Sequence, residues 1–148
     1  MKKAFTMIEL IFVIVILGVL ASVALPKFGS TKNMADISKA RSDVAAIRSS
    51  ILTEKQSQLI KGINTYIPEL SANGTTLFTG DGTRTLLTYG IVSGTSAGKW
   101  SASGATYKLY NFKVDTTNIL FTYNNTTGTF NCDRNDATTG TDCKKIVD

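Results

Sequence analysis

The sequence predicts an α+β protein, in which one long N-terminal helix packs on a small C-terminal antiparallel β-sheet. Three observations support this prediction. The first 25 residues are mostly apolar, and the apolar residues that follow recur at helical spacing. Beyond about residue 60 the composition changes, because ten of the 12 glycines and most threonines lie there among short β-like runs. The 148 residues suffice for one domain beside this helix.

Composition excludes several classes of function. The chain has 16 Lys and Arg against 11 Asp and Glu, a formal net charge of +5, and no histidine. Histidine-based triads, metal ligands and pH switches are therefore excluded. A glycine-rich phosphate loop of the P-loop type is also absent from the sequence, so we do not expect an enzyme.

Residues 5–25 are predicted to form a membrane-spanning helix. These 21 residues contain one charge, and as a helix they measure about 31 Å, close to a hydrocarbon core of about 30 Å. Lys2 and Lys3 precede them, which favours a cytoplasmic N-terminus and an exported C-terminal part.

Two simpler interpretations of this segment remain open. It has the layout of a secretory signal peptide, with Ser22 and Ala24 as small residues at the cleavage site. It also has the length of a simple single-span anchor. Glu9 inside the apolar stretch, and Pro26 directly after the cleavage site, argue against the signal peptide.

Glu9 calls for a partner. An ionisable side chain at this depth costs about 2.5–3.5 kcal/mol on membrane-insertion scales and is usually paired. No Lys or Arg lies within one turn of Glu9 in the segment, so the partner must come from elsewhere, most simply from another copy of the chain. An N-terminal ammonium would serve if residues 1–4 were removed.

The N-terminal residues resemble a known family. Residues 2–10 read KKAFTMIEL and lead into a long apolar helix, a pattern similar to the class III signal of type IV pilins and type II secretion pseudopilins. The resemblance implies that a prepilin peptidase cuts between Ala4 and Phe5, that Phe5 is then N-methylated, and that Glu9 pairs with the N-terminus of a neighbouring subunit. The family usually carries glycine where this chain has Ala4, which bears on the efficiency of cleavage.

The resemblance also implies a life cycle. Residues 1–4 would be the leader peptide and residues 5–25 the membrane helix, which later forms the core of a helical polymer with copies of itself or with other pilins. Before assembly, the chain would lie in the bacterial inner membrane with its head in the periplasm. Its partners would be the peptidase and methylase, a cytoplasmic ATPase and a platform protein in the inner membrane.

Residues 26–58 are predicted to continue as an amphipathic helix. Ile37, Ala40, Val44, Ile47 and Ile51 recur at steps of three and four residues and form one apolar face. The charged residues among them are interpreted as the solvated side: Lys39, Arg41, Asp43, Arg48 and Glu54.

Gly18 and Pro26 weaken the long helix, because glycine lowers helix propensity and proline removes a backbone hydrogen bond. The result is either a fixed bend or a segment that stretches when helices bundle. In the family, filaments often lose helicity between a glycine and a proline at such positions, which implies the second alternative.

Residues 59–148 are predicted to form the exported α+β head, with a pilin-like fold implied by the resemblance. Three antiparallel strands are predicted at residues 107–114, 119–123 and 129–132, joined by turns. A fourth strand is predicted at residues 86–92. One face of this sheet would cover the apolar face of the helix.

Cys132 and Cys143 are expected to form a disulfide. The chain is predicted to be exported, and the periplasm is oxidising. Many pilins carry a C-terminal disulfide loop of this kind, whereas major type II pseudopilins often lack it, so the pair favours a pilin or minor pilin.

The enclosed loop is rich in oxygen ligands and is a candidate calcium site, although its spacing is not that of an EF-hand. Major pseudopilins of type II secretion bind calcium in a C-terminal loop. A surface loop without metal is the simpler alternative. The candidate ligands are Asp133, Asn135, Asp136 and Asp142.

The sequence thus predicts a structural subunit of a pilus-like filament or a secretion pseudopilus. Two alternatives stay open: a monomeric, membrane-anchored periplasmic binding module, and a competence pseudopilin for DNA uptake. Nucleic-acid binding would need a basic and aromatic patch from Lys99, Trp100, Lys108 and residues 144–145. A core tryptophan on a mixed surface is the favoured interpretation.

Overall fold

The computed structural model describes residues 6–148, without the side chains of Leu25, Pro26 and Ser30. The predicted cleavage and methylation positions, Ala4 and Phe5, lie outside the described residues. By its internal contacts the chain divides into two compact units, Met1–Ala35 and Asp36–Asp148.

A single helix, α1, runs from Met7 to Ile60 and merges the two predicted helical segments. Its backbone is helical at both Gly18 and Pro26. Whether this stretch loses helicity in a polymer stays a prediction. Within α1 lies a stretch long and apolar enough to cross a membrane, with a mean hydropathy of 2.9.

The second unit contains two antiparallel sheets and a short helix. Strands β1 (Thr76–Leu77) and β2 (Ile91–Val92) pair with each other. A four-stranded meander has the order β3–β4–β5–β6. Its strands are β3 (Trp100–Ala102), β4 (Leu109–Val114), β5 (Thr117–Asn124) and β6 (Thr129–Cys132). Helix α2 (Gly140–Val147) follows β6.

Three predicted strands are confirmed as β4, β5 and β6, and the predicted fourth strand is wrong. Residues 86–92 form no strand of the meander; only Ile91 and Val92 are extended, and they pair with β1. The fourth strand is β3, which pairs Trp100 with Phe112. With three residues between glycine- and serine-rich loops, β3 is too short to show an alternating pattern.

The predicted apolar face of α1 forms one wall of the core. Ala40, Val44, Ile47 and Ile51 are at most 1% exposed, and Ile37 packs at the edge. The opposite wall comes from the alternating inward side chains of the meander, because every second residue of a strand points to the same face. These include Tyr110, Phe112, Ile119, Phe121, Tyr123 and Phe130.

Trp100 sits at the centre of this core and is fully buried. Its ring lies edge-on to Phe121 at 5.1 Å between centroids, and its Nε1 donates a hydrogen bond to Asp43 Oδ2 at 2.9 Å. The tryptophan is therefore a core residue, as favoured from the sequence, and adds no ring to a nucleic-acid surface.

The prediction that the charged residues of α1 face solvent is wrong for Glu54, which is 6% exposed. Arg84 donates to both of its carboxylate oxygens, at 2.6 and 2.8 Å, and also to the carbonyls of Thr65 and Tyr66. Burial needs such pairing, because a lone buried charge is strongly destabilising. The ion pair ties α1 to the segments around residues 65 and 84.

Arginines of α1 likewise bind the rest of the head instead of lying free on a solvated face. Arg41 donates to the carbonyl of Lys145 in the last turn of α2, where a cation is favoured by the helix dipole. Arg48 Nε donates to the Phe130 carbonyl of edge strand β6 at 3.0 Å. On the other edge, the Gly94 N–H donates to the Trp100 carbonyl of β3 at 2.8 Å.

The predicted disulfide is confirmed. Cys132, at the end of β6, bonds to Cys143 in α2, with a Cα–Cα distance of 5.9 Å. Cys143 and Ile146 of α2 are buried in the core, so the bond holds a helix that the sequence pattern did not reveal.

We expect that Cys132→Ser combined with Cys143→Ser lowers the free energy of unfolding by about 2–3 kcal/mol, because the bond restricts the unfolded chain. Urea unfolding of the full chain in detergent measures this change. Reduction of the wild-type protein should give the same loss and should leave the double variant unchanged. A loss below about 0.5 kcal/mol would show that the tail holds its place without the bond.

Candidate functional site

The candidate assembly site lies at the start of α1. Thr6 precedes the first helical residue, and its Oγ1 accepts a hydrogen bond from the Glu9 N–H at 3.3 Å. In return, the Thr6 N–H and Oγ1 donate to Glu9 Oε2 at 3.3 and 3.1 Å. This reciprocal pattern is a capping box, which satisfies backbone donors that the first turn of a helix leaves free.

Thr6 is a functional residue that was not predicted from the sequence. The signal was present, because a Thr followed three residues later by Glu before an apolar run is typical of a helix start. Within the described residues, Glu9 accepts hydrogen bonds from Thr6 of its own chain. Its predicted pairing with the N-terminus of a neighbour stays a prediction.

The side chains of residues 10–24, which follow Glu9, are all exposed. Phe12 is 66% exposed, and Leu20 is 62% exposed. The apolar window of α1 has none of its residues buried inside the chain. Such an extended apolar surface is not stable in water, so it marks a surface that lipid or another protein covers.

The candidate calcium ligands do not converge. Asp133 Oδ1 accepts from the Asn135 N–H, and Asp142 pairs with Lys145 at 2.8 Å. Asp136 Oδ1 accepts from the backbone of Thr138 and Thr139, and these hydrogen bonds lower the pKa of its carboxyl group. In the part of the chain that the structure describes, no three acidic, Cys or His side chains gather as metal ligands. Calcium binding stays a prediction.

The class of N-terminal segment is established by comparison. Residues 1–25 match the family model described as the prokaryotic N-terminal methylation motif. The resemblance drawn from residues 2–10 is thereby confirmed for this segment, which contains Phe5, Glu9 and Gly18.

The chain is also similar to proteins named type II secretion system core protein G. It is 46% identical over 50 residues to the protein of Dickeya chrysanthemi, covering 34% of this chain and 33% of the relative. The identity is 44% for Pectobacterium carotovorum subsp. carotovorum, with 34% and 32% covered. For Escherichia coli (strain K12) it is 42%, with 34% of each chain covered. The match thus spans about one third of these relatives, and no solved structure matches the chain.

Proposed function

We propose that the chain is a structural subunit of a type IV pilus-like filament or a type II secretion pseudopilus. The best support is that the methylation motif leads into a helix with exposed apolar side chains. The first turn of this helix contains a single acid, Glu9. The relatives named for type II secretion favour the pseudopilus.

The chemistry of the segment suits two environments. In the bilayer, about 21 apolar residues match the hydrocarbon thickness. In a filament, the same side chains pack against the helices of neighbours. The apolar surface therefore leaves lipid for protein without crossing water, which keeps its hydrophobic cost low.

Glu9 would set the register of this packing. Cleavage before Phe5 creates an ammonium group at the start of the helix, and a buried ammonium needs a carboxylate partner. The Glu9 carboxylate of a neighbour supplies it. The local capping box holds the Glu9 side chain folded back toward the N-terminal end, where an incoming ammonium would meet it.

The proposed place of the chain is the bacterial inner membrane, with residues 59–148 in the periplasm before assembly. The disulfide fits an oxidising compartment. The proposed partners are a prepilin peptidase, other copies or other pilins, and an assembly platform. We propose a structural role and no catalysis.

The intact mass of the membrane-extracted chain tests the processing step. We expect the mass of a chain that lacks Met1 through Ala4 and carries one methyl group. An uncut chain would favour a membrane-anchored monomeric binding module, and a cut after Ala24 would mean a secreted protein. Ala4→Gly is the matched control, because it restores the residue usual in the family and reveals whether Ala4 itself blocks cleavage.

A further inference from the structure

A groove in the head is lined by two arginines together with apolar and uncharged polar residues. It has a volume of about 340 Å³ and lies between α1 and the β5–β6 turn. None of its lining residues is acidic. The side chains that line it include Arg48, Leu52, Thr127, Thr129, Asn131 and Arg134.

Two guanidinium groups share this groove. Arg48 is fixed by hydrogen bonds to the Phe130 carbonyl and to Asn131 Oδ1. Arg134 pairs with Asp148 at 2.5 Å. Burial lowers the pKa of Arg48, the positive charge of Arg134 lowers it further, and Asp148 raises it. The positive charges of Arg48 and Arg134 repel each other. Because the Asp148 carboxylate balances one of these two charges, the groove keeps excess positive charge.

The chemistry of the groove points to a carboxylate on a protein. Guanidinium groups bind carboxylates through paired hydrogen bonds, and the nearby threonine hydroxyls can add donors. Leu52 forms an apolar wall and is 55% exposed, although it lies on a helix whose other apolar face is buried. A second protein surface that covers Leu52 would also place its acidic side chain beside the two arginines.

Asp115 is a suitable acid on the same chain. It is exposed in the turn between β4 and β5, with a backbone φ of +53°. Among residues 6–148, no ion pair or hydrogen bond engages its carboxylate, whereas the other exposed acids of the head take part in turns or ion pairs. Aspartate tolerates this left-handed backbone region better than most residues.

Asp115 and the turn that borders the groove lie at opposite ends of β5. The strand spans Thr117–Asn124, and its eight residues extend over about 26 Å. The Asp115 turn precedes the strand, and the groove borders the turn that follows it. Among the described residues, the Asp115 carboxylate pairs with neither arginine of the groove, and two copies that meet head to tail would bring these groups together.

We propose that the Arg48–Arg134 groove binds the Asp115 carboxylate of a second copy of this chain. The inference rests on the proposed filament function and adds a contact between heads. A contact between two different surfaces is heterologous, and repetition of such a contact generates an open helical assembly. The groove thus gives each subunit one acidic contact and one basic contact along the filament.

Charge reversal in the full-length chain tests this contact. We expect Asp115→Arg to lower the sedimentable polymer from cells that process the chain about tenfold, and Arg134→Glu to do the same. Glu69→Arg is the matched control, because it makes the same charge change at another acid of the head and should polymerise normally. Combining Asp115→Arg with Arg134→Glu should restore most of the polymer.

Further measurements separate folding from contact. Each variant should keep the melting temperature of the wild type, and Arg134→Gln, which avoids repulsion with Asp148, should show a smaller loss of polymer. Wild-type polymer should also decrease at high ionic strength, since salt screens exposed charges.

Polymer yields of Asp115→Arg equal to those of Glu69→Arg would overturn the contact, and so would a combined variant no better than the single ones. If Glu9→Val abolishes polymer in the same experiment, the filament function survives and only this contact fails. A wild-type chain that is uncut and never polymerises would overturn both proposals.

Discussion

Replacing Glu9 by valine is expected to reduce filament assembly about a hundredfold. In the proposed filament, the ammonium of a neighbouring Phe5 would then have no partner in the apolar core. A charge left unpaired in such surroundings costs about 2.5–3.5 kcal/mol on insertion scales, and each 1.4 kcal/mol is about tenfold in an equilibrium. The measurement is the amount of sheared, sedimentable polymer relative to membrane-bound subunit.

Two matched variants separate charge from helix capping. Glu9→Gln retains an oxygen that can accept from Thr6, so the capping box survives while the charge is lost; we expect it to fail like valine. Ser22→Ala removes a polar group that bonds only within its own helix and should assemble normally. Wild-type amounts of polymer from Glu9→Gln would refute the ammonium pairing.

Replacing Arg84 by alanine is expected to destabilise the head more than any surface substitution. The Glu54 side chain is 4% exposed and would remain buried without its partner. Breaking a buried ion pair on one side costs about 3–5 kcal/mol. The carbonyls of Thr65 and Tyr66 would also lose their donor. Urea unfolding of the full chain in detergent measures the loss.

Lys145→Ala is the control for this substitution, because its pair with Asp142 is exposed and worth at most about 0.5 kcal/mol. Glu54→Leu combined with Arg84→Met should be less destabilised than Arg84→Ala, since it leaves no unpaired charge. If Arg84→Ala lost no more stability than Lys145→Ala, the ion pair would be unimportant for folding.

Periodicity predicted the helix face well and failed where a charge lay on it. Ile37 through Ile51 follow steps of three and four, and Glu54 continues the same series. Its charge alone predicts a place in solvent. Its partner Arg84 lies 30 residues away in the chain and cannot be recognised from local spacing.

Strand β3 and helix α2 were not predicted from the sequence because both are short. Strand β3 has three residues and α2 has eight, too few for a repeat to stand out. Their positions depend on Trp100 and Cys143, which are placed by the core and by the disulfide.

The N-terminal segment could be recognised from the sequence, whereas the Arg48–Arg134 groove could not. The N-terminal segment was recognised because its signal is contiguous: Phe5 and Glu9 stand in one short motif. The Arg48–Arg134 groove joins residues far apart in sequence, and the folded head alone brings them together.

The four-stranded sheet has both of its edges engaged by its own chain. On one edge, Arg48 Nε donates a hydrogen bond to the outward carbonyl of Phe130. On the other edge, the Gly94 N–H donates to the carbonyl of Trp100. An invading strand would have to displace these donors before it could form its own ladder. These two contacts therefore oppose amyloid-like stacking at the sheet edges, a route that would compete with the proposed assembly of folded subunits.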